Sequence, residues 1–102
     1  MSISDTIHEA IRGHHQVLLR SQEDLDKRVV EPHVVHEAAN GSILVDFYQI
    51  SGFSSSGNLP GWRRLAISDI AEATILAESF TPRTADGYNP GSKRYARIIS
   101  RA

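Results

Sequence analysis

The sequence predicts a small, mainly β domain of the α+β kind, in which a curled antiparallel sheet follows a single N-terminal helix. Three features predict it. An amphipathic stripe is confined to the start of the chain, β-branched runs punctuated by turn residues recur after it, and an Asn40-Gly41 pair separates two of those runs. With 102 residues the chain is read as one domain spanning 1–102, without a linker.

Ser2 to Gly13 sets Ile3, Ile7, Ala10 and Ile11 on one helical stripe, away from Asp5, Glu9 and Arg12. Ser2 with Asp5 forms a capping-box pattern and Gly13 reads as the stop, so residues 3 to 12 are expected to be helical. Val17, Leu18 and Leu19 give the first strand, and the charged stretch Ser21 to Lys27 gives a solvated turn. Valines 29, 30, 34 and 35 make Arg28 to His36 a strand, and Pro32 inside it predicts an edge position or a bulge. Asn40-Gly41 is then expected to form a two-residue hairpin turn with positive φ at both positions. Ile43 to Ile50 follows as the most apolar run, with Ile43, Val45 and Phe47 toward the core and Leu44, Asp46 and Tyr48 opposite.

The stretch Ser51 to Arg64, SGFSSSGNLPGWRR, is rich in serine and glycine and reads as a loop leading into a strand over Trp62 to Ile67. That strand pattern places Arg64 beside Trp62 on one face. Ser68 to Ser79 fits a helix and a turn-plus-strand equally well, because alanines favour the first and the apolar spacing suits both. Thr81 to Gly91 is turn-rich. Ser92 to Arg101 is expected to be a helical turn and a short strand, with Tyr95, Ile98 and Ile99 inward.

Eleven Lys+Arg against twelve Asp+Glu give a formal charge of -1, which excludes a protein that coats nucleic acid over its whole surface. Any basic site is local, and residues 87 to 102 hold four bases and no acid. The absence of cysteine excludes a disulfide framework, a thiolate metal site and a cysteine nucleophile, and agrees with a cytoplasmic location. Neither a signal peptide nor a membrane span is expected from the polar start and the short apolar runs.

A loop of this length between two strands is more often functional than a plain connector. The candidate ligand-binding residues are Arg28, His33, Tyr48, Ser54, Ser55, Ser56, Arg63 and Arg64. Arginine forks suit phosphate or carboxylate, histidine adds a switchable donor, and tyrosine adds a stacking face and a hydroxyl. The competing structural reading pairs Arg28 and Arg64 with Glu31 and Asp46 on a solvated sheet face. Trp62 beside two arginines fits a stacking platform, but the commoner role of a lone Trp at a strand start is a core anchor whose N–H finds a carbonyl. The basic run Lys93, Arg94, Arg97 and Arg101 is a secondary candidate.

The five histidines do not have metal-ligand spacing: His33 and His36 point to opposite faces of a strand, and His14 and His15 diverge. No metal, cofactor or catalytic residue is therefore expected, and the SSSG segment is not a nucleophile elbow because Asn58-Leu59-Pro60-Gly61 cannot open a helix.

The segments IHEAIRGHHQVLLR, KRVVEPHVVHE, GSILVDFYQISG and WRRLAISDIAEATIL together resemble the WYL domain family, as do Ser54 to Arg63 and the late Gly87 to Pro90. The resemblance covers nearly the whole chain. It implies an Sm-like or SH3-like five-stranded antiparallel barrel with a preceding helix, and a non-catalytic, regulatory module that senses a negatively charged ligand, a nucleotide or nucleic acid. The family's naming tripeptide falls at Ser42, Ile43 and Leu44, where only the leucine matches, and Ser68-Asp69 stands where larger members carry Asp-Arg. The alternative reading is a structural or protein-interaction module, a homo-oligomer formed through exposed strand edges.

Overall fold

The Ser2 hydroxyl accepts the Asp5 N–H (3.1 Å) while the Asp5 carboxylate accepts the Ser2 N–H (3.5 Å), and this capping box starts helix α1 (Ile3–Gly13). The helix ends through His14, which takes the left-handed conformation at φ 55°, rather than through a left-handed Gly13. Gly13 matters for space instead, since a Cβ there would lie 2.7 Å from the His15 ring.

The computed structural model describes residues 2–54, 57, 59–89, 91, 95 and 97–102. After α1 come β1 (His15–Ser21), β2 (Arg28–Glu37), β3 (Ile43–Gly52), β4 (Gly61–Ala66), β5 (Ile70–Ser79) and β6 (Arg97–Arg101). Short 3-10 turns lie at Ile67–Asp69 and Thr84–Asp86. The strands form an antiparallel sheet in the order β4-β3-β2-β1-β5, with β6 added to β2. The fold is thus mainly β with one N-terminal helix. Among the described residues the sheet has six strands and is not closed, whereas the family resemblance implies a five-stranded barrel.

β2 is the element on which the sheet turns. Its first residues pair with β1 (Val17↔Val30 to Leu19↔Arg28) and its last with β6 (Val34↔Arg101 to Glu37↔Arg97), while β3 pairs along its whole length. Pro32 sits in the gap between the two partners, where its missing N–H leaves no ladder position empty on that side. β2 is therefore central, not an edge, and Pro32 is tolerated because it sits at a bulge: Pro32 pairs with Phe47 and Val34 with Asp46, leaving His33 as the extra residue.

The β2–β3 hairpin forms, but with a different turn from the one expected. The Gly41 N–H bonds the Ala38 carbonyl (2.9 Å) and the Ala38 N–H bonds the Ser42 carbonyl (2.8 Å), so Ala39 and Asn40 occupy the turn centre. Only Gly41 has positive φ, at 88°, and Asn40 contributes its side-chain oxygen to the Ser42 N–H (3.0 Å).

Ser68 to Ser79 resolves into a turn and a strand. Pairing with β1 (Val17↔Ile75, Leu19↔Ala73) overrides the helix propensity of its alanines and lays Ile70, Ala73 and Ile75 against the core. That core is Ile7, Ala10 and Ile11 of the helix with Val17, Leu19, Val30, Val35, Val45 and Phe47 of the sheet. Val34, Tyr88 and Tyr95 make a second, smaller cluster, flanked by Trp62 and Ile98. Ile99 is not inward as expected: alternation along β6 leaves it 45% exposed. Among the described residues no helix is long and apolar enough to cross a membrane.

Candidate functional site

Register places the candidate residues around the β3–β4 junction but gives them separate tasks. Tyr48 pairs with Trp62, Phe47 with Arg63, and Asp46 with Arg64. Strand alternation starts Arg63 and Arg64 on opposite sides of β4, yet both long side chains reach one cleft at its edge.

Arg28 opens β2 and turns back onto the preceding loop. Its Nε and Nη2 each donate to the Asp24 carboxylate at 2.7 Å, and Nη1 donates to Gln49 Oε1 at 3.2 Å. Asp24 is buried, so the turn predicted to be solvated holds an interior ion pair. The Arg28 hydrogen bonds hold the Asp24 carboxyl down at about 2. The partner is therefore Asp24 and not Glu31, and Arg28 fastens the 22–27 loop to β3 rather than facing a ligand.

His33, the bulged residue, is fully buried and packs against Trp62 (4.9 Å), Phe80 (4.9 Å) and Tyr88 (4.8 Å). The Arg83 N–H donates to Nε2 (3.1 Å), which makes Nε2 the bare nitrogen and leaves Nδ1–H to donate to the Glu31 carbonyl (2.8 Å). Burial lowers its pKa from the ordinary histidine value. The expectation of a switchable surface donor is corrected: a bulge re-aims this side chain inward, and it is a neutral structural imidazole.

Tyr48 is half-buried. Its ring meets Trp62 edge-on at 5.3 Å and carries the Arg83 guanidinium over its face at 4.2 Å. Arg83 in turn bonds the buried Glu31 carboxylate (2.6 and 3.3 Å) and Asp86 (3.2 Å). Arg83 is the residue that sequence reasoning missed. Its one local signal is that it is the lone base within Thr81 to Gly91, and the partner it finds is 52 positions away.

Arg64 donates from Nε (2.7 Å) and Nη2 (3.1 Å) to Asp46, whose carboxylate also receives His36 Nε2 (3.1 Å) and Tyr95 OH (3.3 Å). Burial alone would raise the Asp46 pKa, but these donors outweigh it and the net shift is downward. The Arg64–Asp46 pair of the structural reading is thus present, although its acid is buried and not on a solvated face. Arg64 itself remains 47% exposed along its side chain. Arg63 lies along the strand edge, donating to the Trp62 carbonyl (2.8 Å) and the Ser54 hydroxyl (3.3 Å). Ser54 also receives the Gly57 N–H (3.2 Å). Ser55 and Ser56 lie outside the described residues.

Asp46, Trp62, Arg63 and Arg64 line a shallow cleft of about 280 Å³. Trp62 is anchored by its indole N–H on the Asp86 carbonyl (2.7 Å). The structure therefore brings Ser54, Arg63 and Arg64 together with Trp62, and it withdraws Arg28 and His33 from that surface. In the C-terminal run, Lys93 and Arg94 lie outside the described residues and Arg97 approaches Glu37 at 3.7 Å. Among the described residues no group of three or more metal-ligating side chains is placed to hold an ion.

Comparison with protein families, with characterised proteins and with solved structures yields no match to this chain. The arrangement at the β4 edge can offer hydrogen-bond donors, one half-exposed guanidinium and the half-buried Trp62 side chain to a ligand.

Proposed function

We propose that the protein is a non-catalytic binding module that takes an anionic ligand, a nucleotide or a nucleic-acid strand, on the surface formed by Ser54, Trp62, Arg63 and Arg64. One observation carries this reading. Arg64 uses Nε and Nη2 on buried Asp46, yet its Nη1 has no partner among the described residues and the group is half in solvent beside Trp62. The ion pair fixes the fork while one edge of it stays available to phosphate, and a neighbouring indole suits a base. The WYL resemblance, with its Sm-like barrel and regulatory role, belongs to the same proposal, as does a cytoplasmic setting. The helix-then-sheet order and the bulge between Pro32 and Val34 support it.

Trp62 is the sole tryptophan, so its fluorescence reports directly on this surface. Titration with ATP and with a short single-stranded DNA should change the emission saturably, and Arg64→Ala should weaken binding by roughly fivefold or more. A flat titration to about 10 mM nucleotide would dispose of the reading, since that corresponds to less than ~3 kcal/mol of binding.

A second reading rests on β5. This ten-residue strand pairs with β1 on one side and with no other strand among the described residues. An edge of that length can add a second copy of the chain. Light scattering at micromolar concentration decides it: a dimer mass supports self-association and a monomer mass rejects it.

A further inference from the structure

Helix α1 and strand β6 pack side by side, and the cleft between them, about 620 Å³, is lined by His8, Arg12, Ile98, Ile99, Ser100 and Arg101. It shares no residue with the β4 surface. His8 and Arg12 are one helical turn apart and so project on the same side of α1. His8 Nδ1 is hydrogen-bonded to Ser100 Oγ, which ties helix to strand across the cleft.

Charge distinguishes this cleft among the described residues. Arg20, Arg28, Arg64, Arg83 and Arg97 each lie within salt-bridge distance of a carboxylate. Arg12 and Arg101 have no carboxylate partner among the described residues, both are exposed, and both border this one cleft, whose lining contains no acid. Two guanidinium groups without a carboxylate partner beside a concave surface attract an anion. The remaining lining is a hydroxyl, an imidazole and two isoleucines, one of which, Ile99, is 45% exposed.

We infer that the α1–β6 cleft is a second ligand site, one that takes a small organic phosphate monoester, with the phosphate between Arg12 and Arg101 and the organic group on Ile99. Phosphate is favoured over carboxylate because its three terminal oxygens can accept from two forks and from His8 or Ser100 together, whereas a carboxylate has two oxygens to share. An apolar body on the ester covers isoleucine surface that otherwise faces water.

The test is an amide NMR titration with three probes, phenyl phosphate, inorganic phosphate and benzoate. Phenyl phosphate should produce saturable shifts in residues 8–12 and 97–101, binding more tightly than either of the others. The Arg12→Ala/Arg101→Ala double variant should lose about tenfold or more in affinity, while Arg64→Ala leaves this binding unchanged. Both arginines are exposed, so the fold should survive their removal; the single Arg101→Gln variant, read the same way, should lose about threefold or more. Shifts that do not saturate by about 20 mM, that appear only around residues 54 and 62–64, or that persist undiminished in the variants would overturn the inference. Tighter binding of benzoate than of phenyl phosphate would overturn the choice of phosphate.

Discussion

A buried carboxylate costs stability unless donors surround it, and Asp24 has them on every side: Arg28 twice at 2.7 Å and the Ser21 N–H at 3.0 Å. Its pKa falls from 3.8 to about 2 in the folded state. A lowered carboxyl pKa contributes stability that is complete above the unfolded value, near pH 4, and is lost as pH falls through about 2. Asp24→Asn should therefore cost about 2 kcal/mol in urea unfolding at pH 7. The gap between wild type and variant should shrink as the buffer is taken toward pH 2, and a constant gap would contradict the assignment. His33 behaves in the same direction by a different route. Its folded pKa lies below the ordinary 6.5 because burial disfavours the imidazolium, so its contribution is complete above that value and declines as pH falls below it. His33→Phe should lower stability at pH 7 by about 1–3 kcal/mol, because the Arg83 N–H loses its acceptor. The variant should also lose less stability than wild type between pH 7 and 5, which parallel denaturation curves would reveal.

At the scale of elements, two glycines separate strain from space. Gly41 has φ +88° with no atom near an added Cβ, so Gly41→Val meets only the backbone penalty and should cost about 1 kcal/mol. Gly52 has φ +99°, and a Cβ there would lie 2.7 Å from Arg28 Cα and closer still to the Lys27 carbonyl oxygen. Gly52→Ala adds overpacking to strain and should cost about 3 kcal/mol, more than the change at Gly41, as thermal unfolding of the two variants would show. Helix α1 was legible in the sequence because its cap, stripe and charged first turn are all local. Strands β1 to β4 were legible from β-branched runs and alternation. The turn geometry at Asn40-Gly41 was not, since Ala38 and Ala39, which carry no turn signal, share the hairpin loop. β5 remained ambiguous because the register with β1 that selects strand over helix is a non-local contact.

Across the whole molecule, a net charge of -1 hides an uneven distribution in which Arg28, Arg64 and Arg83 are each spent on a buried acid. Binding at the β4 surface should therefore depend on very few cations: doubling salt from about 0.1 M should weaken nucleotide binding only modestly, with a slope near that of one or two phosphate contacts. A steep slope would point to a wider basic surface. The sequence by itself determined the helix and its cap, the hairpin, the alternating faces of β3 and β4 and the polar loop between them, because each depends on spacing or backbone preference within a few residues. Tertiary structure alone decided what the charged and aromatic groups are for. Arg28 closes on Asp24, Arg64 on Asp46 and Arg83 on Glu31, while a bulge after Pro32 turns His33 into the interior. An arginine in a sequence is a fork without a partner; its meaning is settled by whichever carboxylate the folded chain delivers to it, and by how much water is left around the pair.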